Sequence, residues 1–257
     1  IEASANGNIY TTGVWQSSAT KGSIGIFGGI KLTGRYGQDV FVCALDSAAG
    51  KVLWINCEGS ATGADLGYGV AADDNGNCYV SGIYGYNPTY TYKSDSGQFG
   101  NFWLTKKGGL EVFVSKYDAK GTCQWARSVG TESDESVYDI TLDKDSNASI
   151  VAIRNIGGVL FKGKTWMSGN SWIKQSGMTA FHWDKNGNTI GMQALDDNDS
   201  TSLPYAVHRT NGMTYLAGNF PLALLKIAGT SLINPGSTVI DGFVAQLDTF
   251  PKNNVLN

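Results

Sequence analysis

Two short sequence patterns recur along the chain at nearly constant spacing, and this repetition restricts the fold more than any other property of the 257 residues. The final residues of the first pattern are 69, 70 and 66 positions apart, and the closing aspartates of the second are 72, 66 and 64 positions apart. The first pattern occurs as NGNIYTTG (6–13), NGNCYVSG (75–82), SNASIVA (146–152) and GMTYLAG (212–218), and the second as DVFVCALD (39–46), EVFVSKYD (111–118), MTAFHWD (178–184) and DGFVAQLD (241–248). Such periods are the signature of repeat architectures. We therefore expect one domain, 1–257, built from units of about 1–67, 68–136, 137–204 and 205–257.

Each unit has the pattern of four β-strands. In the second unit, four segments of strand length are rich in β-branched and aromatic residues: YGVAADD (68–74), NCYVSGIY (77–84), EVFVSKYD (111–118) and GTCQWARS (121–128). Short turns of Asp, Asn and Gly join the first strand to the second and the third to the fourth, which predicts antiparallel hairpins. The 34 glycines and the low charged fraction of 16% also suit short strands joined by turns. Because four-stranded antiparallel sheets repeated around an axis form a β-propeller, we predict an all-β propeller of four such blades.

The sequence leaves the size of the ring open. The chain starts within a first strand and ends soon after a third strand at Asp248, so the fourth blade is complete only if 250–257 supplies a strand. Propellers have about four to eight blades. The chain is therefore interpreted either as a compact four-bladed ring or as a sector of a larger ring. Its first residue, Ile1 and not Met, indicates a processed or trimmed product.

The stretches DVFVCALDSAAGKVLW (39–54) and GADLGYGVAADDNGNCYVSG (63–82) carry a family resemblance. They resemble the SBBP-type bacterial β-propeller repeat, and the resemblance extends over almost the whole chain. The third unit departs from the pattern, with Ala148, Ser149 and Gly191 at the places of Cys78, Tyr79 and the repeat tryptophan. The resemblance implies a secreted or surface-exposed bacterial protein, often a module of a larger chain, with no family-wide catalytic residues.

Composition argues against several classes of partner. The net charge of −3 and the pI near 5.3 give no basic surface for phosphate backbones, so nucleic acid is not expected. No apolar run approaches the roughly 20 residues needed to cross a bilayer, so no membrane-spanning segment is expected. The cysteines form no CxxC motif or Cys/His cluster, which argues against zinc. Buried thiols are favoured over disulfides for all of them: Cys43, Cys57, Cys78 and Cys123.

Two enzymatic interpretations are weaker than a packing role for the repeat tryptophans. ALDSAAGKVLW (44–54) resembles the tryptophan-docking motif of quinoprotein propellers, but the corresponding segments of the other units drift from it. A sialidase-like site needs three arginines on one face, and the chain has only four, scattered along its length. His182 and His208 lie in strand patterns without a neighbouring nucleophile or metal set. We therefore expect a protein that is not an enzyme and has no cofactor, with Trp54 and Trp125 packed between blades.

Acidic residues recur at two places in each unit. DDNGN (73–77), DKDSN (143–147) and DKNGN (184–188) share the opening of a calcium-binding loop, but the bidentate glutamate at its twelfth position is absent from all three. Asp and Asn bond their own backbone in tight turns, so these segments are predicted to be turns without metal. A second set of acids, before the first strands, is predicted to accept backbone N–H bonds between blades: Asp65, Asp134 and Asp199.

The strand order predicts where a ligand would bind. If the hairpin turns lie on one face of the ring, the longer connections lie on the other face, and long loops on a rigid scaffold commonly carry recognition. The stretch 84–103 in one of these connections is rich in aromatic residues. Phe99, in this stretch, and Leu104, just after it, align with blade residues of other units and are predicted to be buried. The candidate ligand-binding residues are Tyr86, Tyr90, Tyr92, Trp103 and, in the next long connection, Trp172.

The sequence therefore favours a non-catalytic extracellular or cell-surface recognition module. It would bind a glycan or a protein partner through the face that carries the long loops. The alternative is a structural or assembly module of a larger surface complex, marked by a broad apolar patch at an open side of the ring.

Overall fold

The structure is a computed structural model and describes residues 1–16, 22, 24–35, 37–61, 63–86, 96–131, 133–154, 159–161, 164–166, 177–195, 202–221, 224–227, 230–233 and 240–247. Every regular element in these ranges is a β-strand. In chain order the strands are β1 (Glu2–Ala3), β2 (Asn8–Gln16), β3 (Ile24–Phe27), β4 (Ile30–Thr33), β5 (Gln38–Asp46), β6 (Val52–Ser60), β7 (Ala64–Ala72), β8 (Cys78–Tyr86), β9 (Ser96–Phe99), β10 (Phe102–Thr105), β11 (Glu111–Tyr117), β12 (Cys123–Val129), β13 (Ser136–Leu142), β14 (Ala148–Arg154), β15 (Val159–Phe161), β16 (Lys164–Trp166), β17 (Gly177–Trp183), β18 (Thr189–Ala194), β19 (Leu203–Thr210), β20 (Met213–Phe220), β21 (Leu224–Ile227), β22 (Thr230–Ile233) and β23 (Asp241–Leu247).

The strands assemble into antiparallel sheets that follow the sequence repeat. Among the described residues, the first sheet has the order β1-β2-β5-β6-β9-β10, the second β12-β11-β8-β7, the third β13-β14-β17-β18 and the fourth β19-β20-β23. The second and third units thus form the predicted four-stranded antiparallel sheets. The first sheet is extended to six strands, and the fourth has three described strands, so the prediction of four four-stranded sheets is confirmed only in part.

Each unit also contains a short hairpin inside the connection between its second and third main strands, where the sequence predicted a long loop. These hairpins are β3–β4, β9–β10, β15–β16 and β21–β22. The β9–β10 hairpin joins the outer strand of the preceding sheet through the pairs Gly59↔Gln98 and Ser60↔Gly97. Its core residues Phe99 and Leu104 are buried, as predicted.

Consecutive sheets pack face to face, and each contact encloses an apolar core. We call the side that packs against the next sheet the forward face and the opposite side the backward face. In the first core, Tyr10, Val42 and Trp54 on the forward face of the first sheet meet Val80 and Phe113 on the backward face of the second. Two further cores lie between the second and third sheets and between the third and fourth. The second and third sheets are therefore covered on both faces.

On each forward face, one row of paired residues lies close to the hairpin turns. The row runs Tyr10–Ala44–Trp54 in the first sheet and Tyr79–Lys116–Trp125 in the second. The Tyr and Trp ring centroids of a row are 6.2 Å apart in the first sheet and 5.9 Å apart in the second. Two large aromatic side chains thus fill the space between neighbouring sheets at their turn end.

The row tryptophans also bond to the next sheet. The indole Nε1 of Trp54 donates to the carbonyl of Ala119 at 3.1 Å, and that of Trp125 donates to the carbonyl of Lys185 at 3.1 Å. Both acceptors belong to hairpin turns of the following sheet. The predicted packing of these tryptophans between units is confirmed.

The acids that precede the first strands bind backbone groups, as predicted. The Asp65 carboxylate accepts the N–H of Ser60 in the first sheet at 2.7 Å and that of Gly85 in its own sheet at 2.7 Å, and Asp134 accepts the N–H of Leu110 at 2.7 Å. Burial raises the pKa of Asp65 to about 7. The third acid, Asp199, lies outside the described residues.

The four cysteines are free thiols, as favoured over disulfides, but only Cys43 and Cys78 are buried, whereas Cys57 and Cys123 are half-buried. Burial raises the pKa of each of them above the ordinary thiol value. Within the described part of the chain, no helix has the length and apolar character needed to cross a bilayer.

Candidate functional site

The third sheet lacks both large aromatics of the forward-face row. Its row is Ser149–His182–Gly191, where the second sheet has Tyr79–Lys116–Trp125. A Cβ atom built on Gly191 would meet no atom within 4 Å. The space that Tyr and Trp rings fill between the earlier sheets is therefore open between the third sheet and the fourth.

This open space is part of a cleft of about 950 Å³, which we call the turn-end cleft. Its walls are hairpin turns of the second, third and fourth sheets together with the outer strand β18. The lining residues are Ala72–Asp74, Leu142–Asn147, His182, Ile190–Gln193 and Arg209–Gly212. The volume lies in the range of small-molecule binding sites, which is about 300–1,000 Å³.

A buried polar network supports the cleft. Ser149 Oγ and His182 Nδ1 are 2.8 Å apart, and Arg209 Nη1 lies 3.5 Å from the Ser149 hydroxyl and 3.5 Å from Asp143 Oδ2. Burial, assisted by the positive charge of Arg209, lowers the pKa of His182 to about 3, so its imidazole is neutral near pH 7. Ser149 is only 1% exposed and His182 4% exposed. This arrangement holds the neighbouring strands together and presents no accessible nucleophile to the cleft.

The aspartates that open the turns are engaged inside those turns. Asp143 Oδ1 accepts the N–H groups of Asp145 and Asn147 at 2.9 Å each, and its Oδ2 accepts the Asn147 amide at 3.0 Å. Asp73 binds the backbone and side chain of Asn77 in the same way. This geometry is that of the turns predicted from the sequence. In the ranges that the structure describes, no group of three or more His, Cys, Asp or Glu side chains is placed to hold a metal ion.

The remaining lining residues offer mixed polar chemistry beside an apolar surface. Gln193 and Asn211 carry amides that can both donate and accept hydrogen bonds, and Arg209 carries a guanidinium group. Ile190, which is 38% exposed, supplies apolar surface. Such a lining suits a neutral ligand with many hydroxyl groups and small apolar faces.

A smaller cavity of about 310 Å³ adjoins the turn-end cleft. It shares Lys144 and Asp145 with the cleft and adds Lys116 and Lys185. Burial lowers the pKa of Lys116, and the ammonium group of this lysine lies 5.0 Å from the ring centroid of Tyr79. The smaller cavity also contains the carboxylates of Asp73 and Asp145, which partly neutralise its three ammonium groups.

Of the site residues predicted from the sequence, the structure describes Trp103 and the backbone of Tyr86. Trp103 lies in β10 and is 62% exposed, in agreement with its predicted exposure. The backbone of Tyr86 ends β8, where it pairs with Ala64. Tyr90, Tyr92 and Trp172 lie outside the described residues. Trp103 therefore lies on a hairpin at the outer edge of the first sheet, and its relation to the other candidates stays a prediction.

The turn-end cleft is not predicted from the sequence, although Ser149 and Gly191 are visible there as departures from the repeat pattern. The sequence does not show that these two positions share one packing space. Because both positions belong to one paired row, the two losses open one space. Arg209 had no comparable signal, since its position near Asp143 depends on how the third and fourth sheets pack.

Comparisons with known proteins agree with a repeat fold and give no function. No family model matches the chain. The chain is 22% identical over 196 residues to an uncharacterized WD repeat-containing protein, L264, of Acanthamoeba polyphaga mimivirus. The match covers 73% of this chain and only 14% of that relative, so the chain spans a small part of the relative's length. WD repeats form β-propellers, which fits the repeated antiparallel sheets, whereas the SBBP type stays a prediction.

Proposed function

We propose that the protein is a non-catalytic recognition module with a β-propeller fold, and that it binds a glycan in the turn-end cleft. The observation that carries the proposal is the loss of both row aromatics at Ser149 and Gly191, which leaves open space in a cleft of about 950 Å³ between the turns of the second, third and fourth sheets. The earlier sheets fill the same place with side chains that stabilise the fold. The cleft lies at the turn end, so the proposed site differs from the face expected from the sequence.

The lining supports a glycan over other small ligands. Sugar hydroxyls donate and accept hydrogen bonds, and the amides of Gln193 and Asn211 can do both. The C–H faces of a sugar ring can rest on Ile190.

The buried network supports binding without catalysis. The only described pairing of a hydroxyl with a histidine in the cleft region, Ser149 with His182, is almost fully buried. Since the pKa of His182 is lowered to about 3, the imidazole is a poor proton acceptor near pH 7. An extracellular or cell-surface location is proposed from the SBBP resemblance.

A glycan array followed by calorimetry tests the proposal. Gly191→Trp would return an indole to the row, and the open space beside Gly191 can receive it. We expect this variant to keep its circular dichroism spectrum and to bind the best glycan at least about tenfold more weakly. Ala194→Trp, on the same strand and outside the cleft lining, is the matched control and should bind like the wild type. Failure of the array to give any hit, or equal binding by Gly191→Trp, would contradict the proposal.

The exposed Trp103 supports a second site for the same function, on the side predicted from the sequence. Its indole offers a flat stacking surface that is 62% exposed. Trp103→Ala should leave binding in the turn-end cleft unchanged. If Trp103→Ala loses glycan binding and Gly191→Trp retains it, the binding site is at the outer edge of the first sheet.

A further inference from the structure

We propose that Ser146 determines which glycans bind, and that the glycan extends from the turn-end cleft past this residue into the smaller cavity. Such a ligand has at least two sugar units, and the Ser146 hydroxyl bonds it where it leaves the cleft. The inference rests on the proposed function and adds to it the length of the ligand and a residue that selects it. Its evidence is the backbone of one turn and the position of that turn between two cavities.

Ser146 adopts a backbone conformation for which the matching turns use glycine. In the turn after β13, the Ser146 N–H donates to the Asp143 carbonyl at 2.9 Å, and the Asp143 N–H donates to the Asn147 carbonyl at 3.0 Å. The same two backbone bonds close four other described turns. The left-handed residues of those turns are Gly7, Gly76, Gly121 and Gly187, with φ angles of 84°, 79°, 82° and 78°. The φ angle of Ser146 is 62°.

A side chain at this position destabilises the turn. For residues other than glycine, the left-handed conformation lowers the ratio of folded to unfolded chains by a factor of about 5–30. The other described non-glycine residue with positive φ is Asn211, and it precedes Gly212 in an Asn-Gly turn that favours this conformation. Ser146 has no such explanation. A strained residue where the matching turns have glycine points to a function of its side chain.

Ser146 lies where the two cavities meet. It lines both of them, together with Asp73, Lys144 and Asp145. The smaller cavity has a volume of about 310 Å³, at the lower end of the range of about 300–1,000 Å³ for small-molecule sites. A ligand that extends from one cavity into the other therefore passes the turn that carries Ser146. The serine hydroxyl can donate and accept hydrogen bonds, as sugar hydroxyls do.

Three departures of the third unit from the repeat coincide at this site. Ser149 and Gly191 stand in place of the row aromatics, and Ser146 stands in place of the turn glycine. The first two leave open space, and the third adds a hydrogen-bonding group to the lining of the cleft. Loss of the repeat pattern alone does not account for the added side chain, since glycine would form the same turn without strain.

Two substitutions of Ser146 separate stability from binding. Ser146→Gly relieves the strain, so urea unfolding should give a ratio of folded to unfolded chains at least about fivefold higher than in the wild type. In calorimetry, the same variant should bind the best oligosaccharide of the glycan array about fivefold more weakly, because one hydrogen bond is lost. Ser146→Ala keeps the strained backbone and should lose the same binding without the gain in stability.

Gly7→Ser makes the reverse change in a turn of the first sheet. A Cβ atom on Gly7 would have only Ser47 Oγ within 4 Å, at 3.9 Å, so this variant tests backbone strain alone. It should lose stability by a factor similar to the one that Ser146→Gly gains, and it should bind the glycan like the wild type. The wild type should bind the oligosaccharide at least about tenfold more tightly than its single terminal sugar, because only the longer ligand reaches both cavities.

The outcomes distinguish this inference from the proposed function. If Gly191→Trp loses binding while Ser146→Gly and Ser146→Ala bind like the wild type, the glycan site stands and the role of Ser146 is overturned. Equal affinity for the single sugar and the oligosaccharide would overturn the extension into the smaller cavity. A Ser146→Gly variant no more stable than the wild type would remove the strain and overturn the inference. An array without any hit contradicts the proposed function, and this inference with it.

Discussion

At the scale of single residues, the buried acids between units make stability depend on pH. Glu135 is 2% exposed, and its carboxylate bonds the backbone N–H and the hydroxyl of Thr131. Burial raises its pKa to about 8. The folded protein therefore holds a proton that the unfolded chain releases above its ordinary pKa of about 4.5. The contribution of the Glu135 carboxyl group to the free energy of unfolding is fully present below pH 4.5 and is lost as the pH rises toward 8.

Glu135→Gln should remove this part of the pH dependence. The amide cannot ionise, so the free energy of unfolding should fall less between pH 5 and pH 8, by an amount on the order of a few kcal/mol. Urea unfolding at both pH values measures the slope. Thr131→Val keeps the carboxyl group and should keep the slope. Equal slopes for the wild type and Glu135→Gln would show that Glu135 is not protonated in the folded state.

A glycine at a close contact between strands gives a second residue-scale prediction. A Cβ on Gly69 of β7 would lie 2.8 Å from Asp139 Cα and 2.8 Å from Ile140 N of β13. Because both are backbone atoms, Gly69→Ala forces the second and third sheets apart and should cost about 1–3 kcal/mol in urea unfolding. Gly191→Ala makes the same change in open space and is the matched control. Similar stabilities for the two variants would refute the close contact.

At the scale of elements, the row tryptophans join one sheet to the next. The Trp125 ring packs against Gly187, and its indole bonds the Lys185 carbonyl at 3.1 Å. Trp125→Ala should therefore lower the free energy of unfolding by about 3–5 kcal/mol, as expected for a buried tryptophan. Trp103→Ala should change it by less than about 0.5 kcal/mol, because that ring is exposed. A small effect of Trp125→Ala in chemical denaturation would contradict its packing role.

The sequence predicted those elements whose conformation depends on residues that are close together in the chain. The turn at Asp73 and the strand in 111–118 could be identified because Asx turns and an enrichment in β-branched and aromatic residues are local features of the sequence. The hairpin β3–β4 was missed because its short strands, interrupted by glycines at 28 and 29, resemble a loop. The turn-end cleft was missed for a different reason. It arises from side chains that are absent, and only the register shows that Ser149 and Gly191 share a row.

At the scale of the whole molecule, the order of the sheets predicts a gradient of stability. The second and third sheets are covered on both faces, whereas the fourth exposes its forward face at Val244. In repeat architectures, stability is roughly the sum of each unit and its contacts with neighbours, so a unit with one described neighbour opens more easily. The second and third sheets should therefore be the last to lose their backbone hydrogen bonds.

Hydrogen exchange followed by mass spectrometry measures this gradient. At low concentration, peptides from β11 and β17 should exchange at least about tenfold more slowly than peptides from β20 and β23. Uniform protection across all sheets would mean that the stack unfolds as one unit, so that the loss of a neighbour does not weaken the fourth sheet.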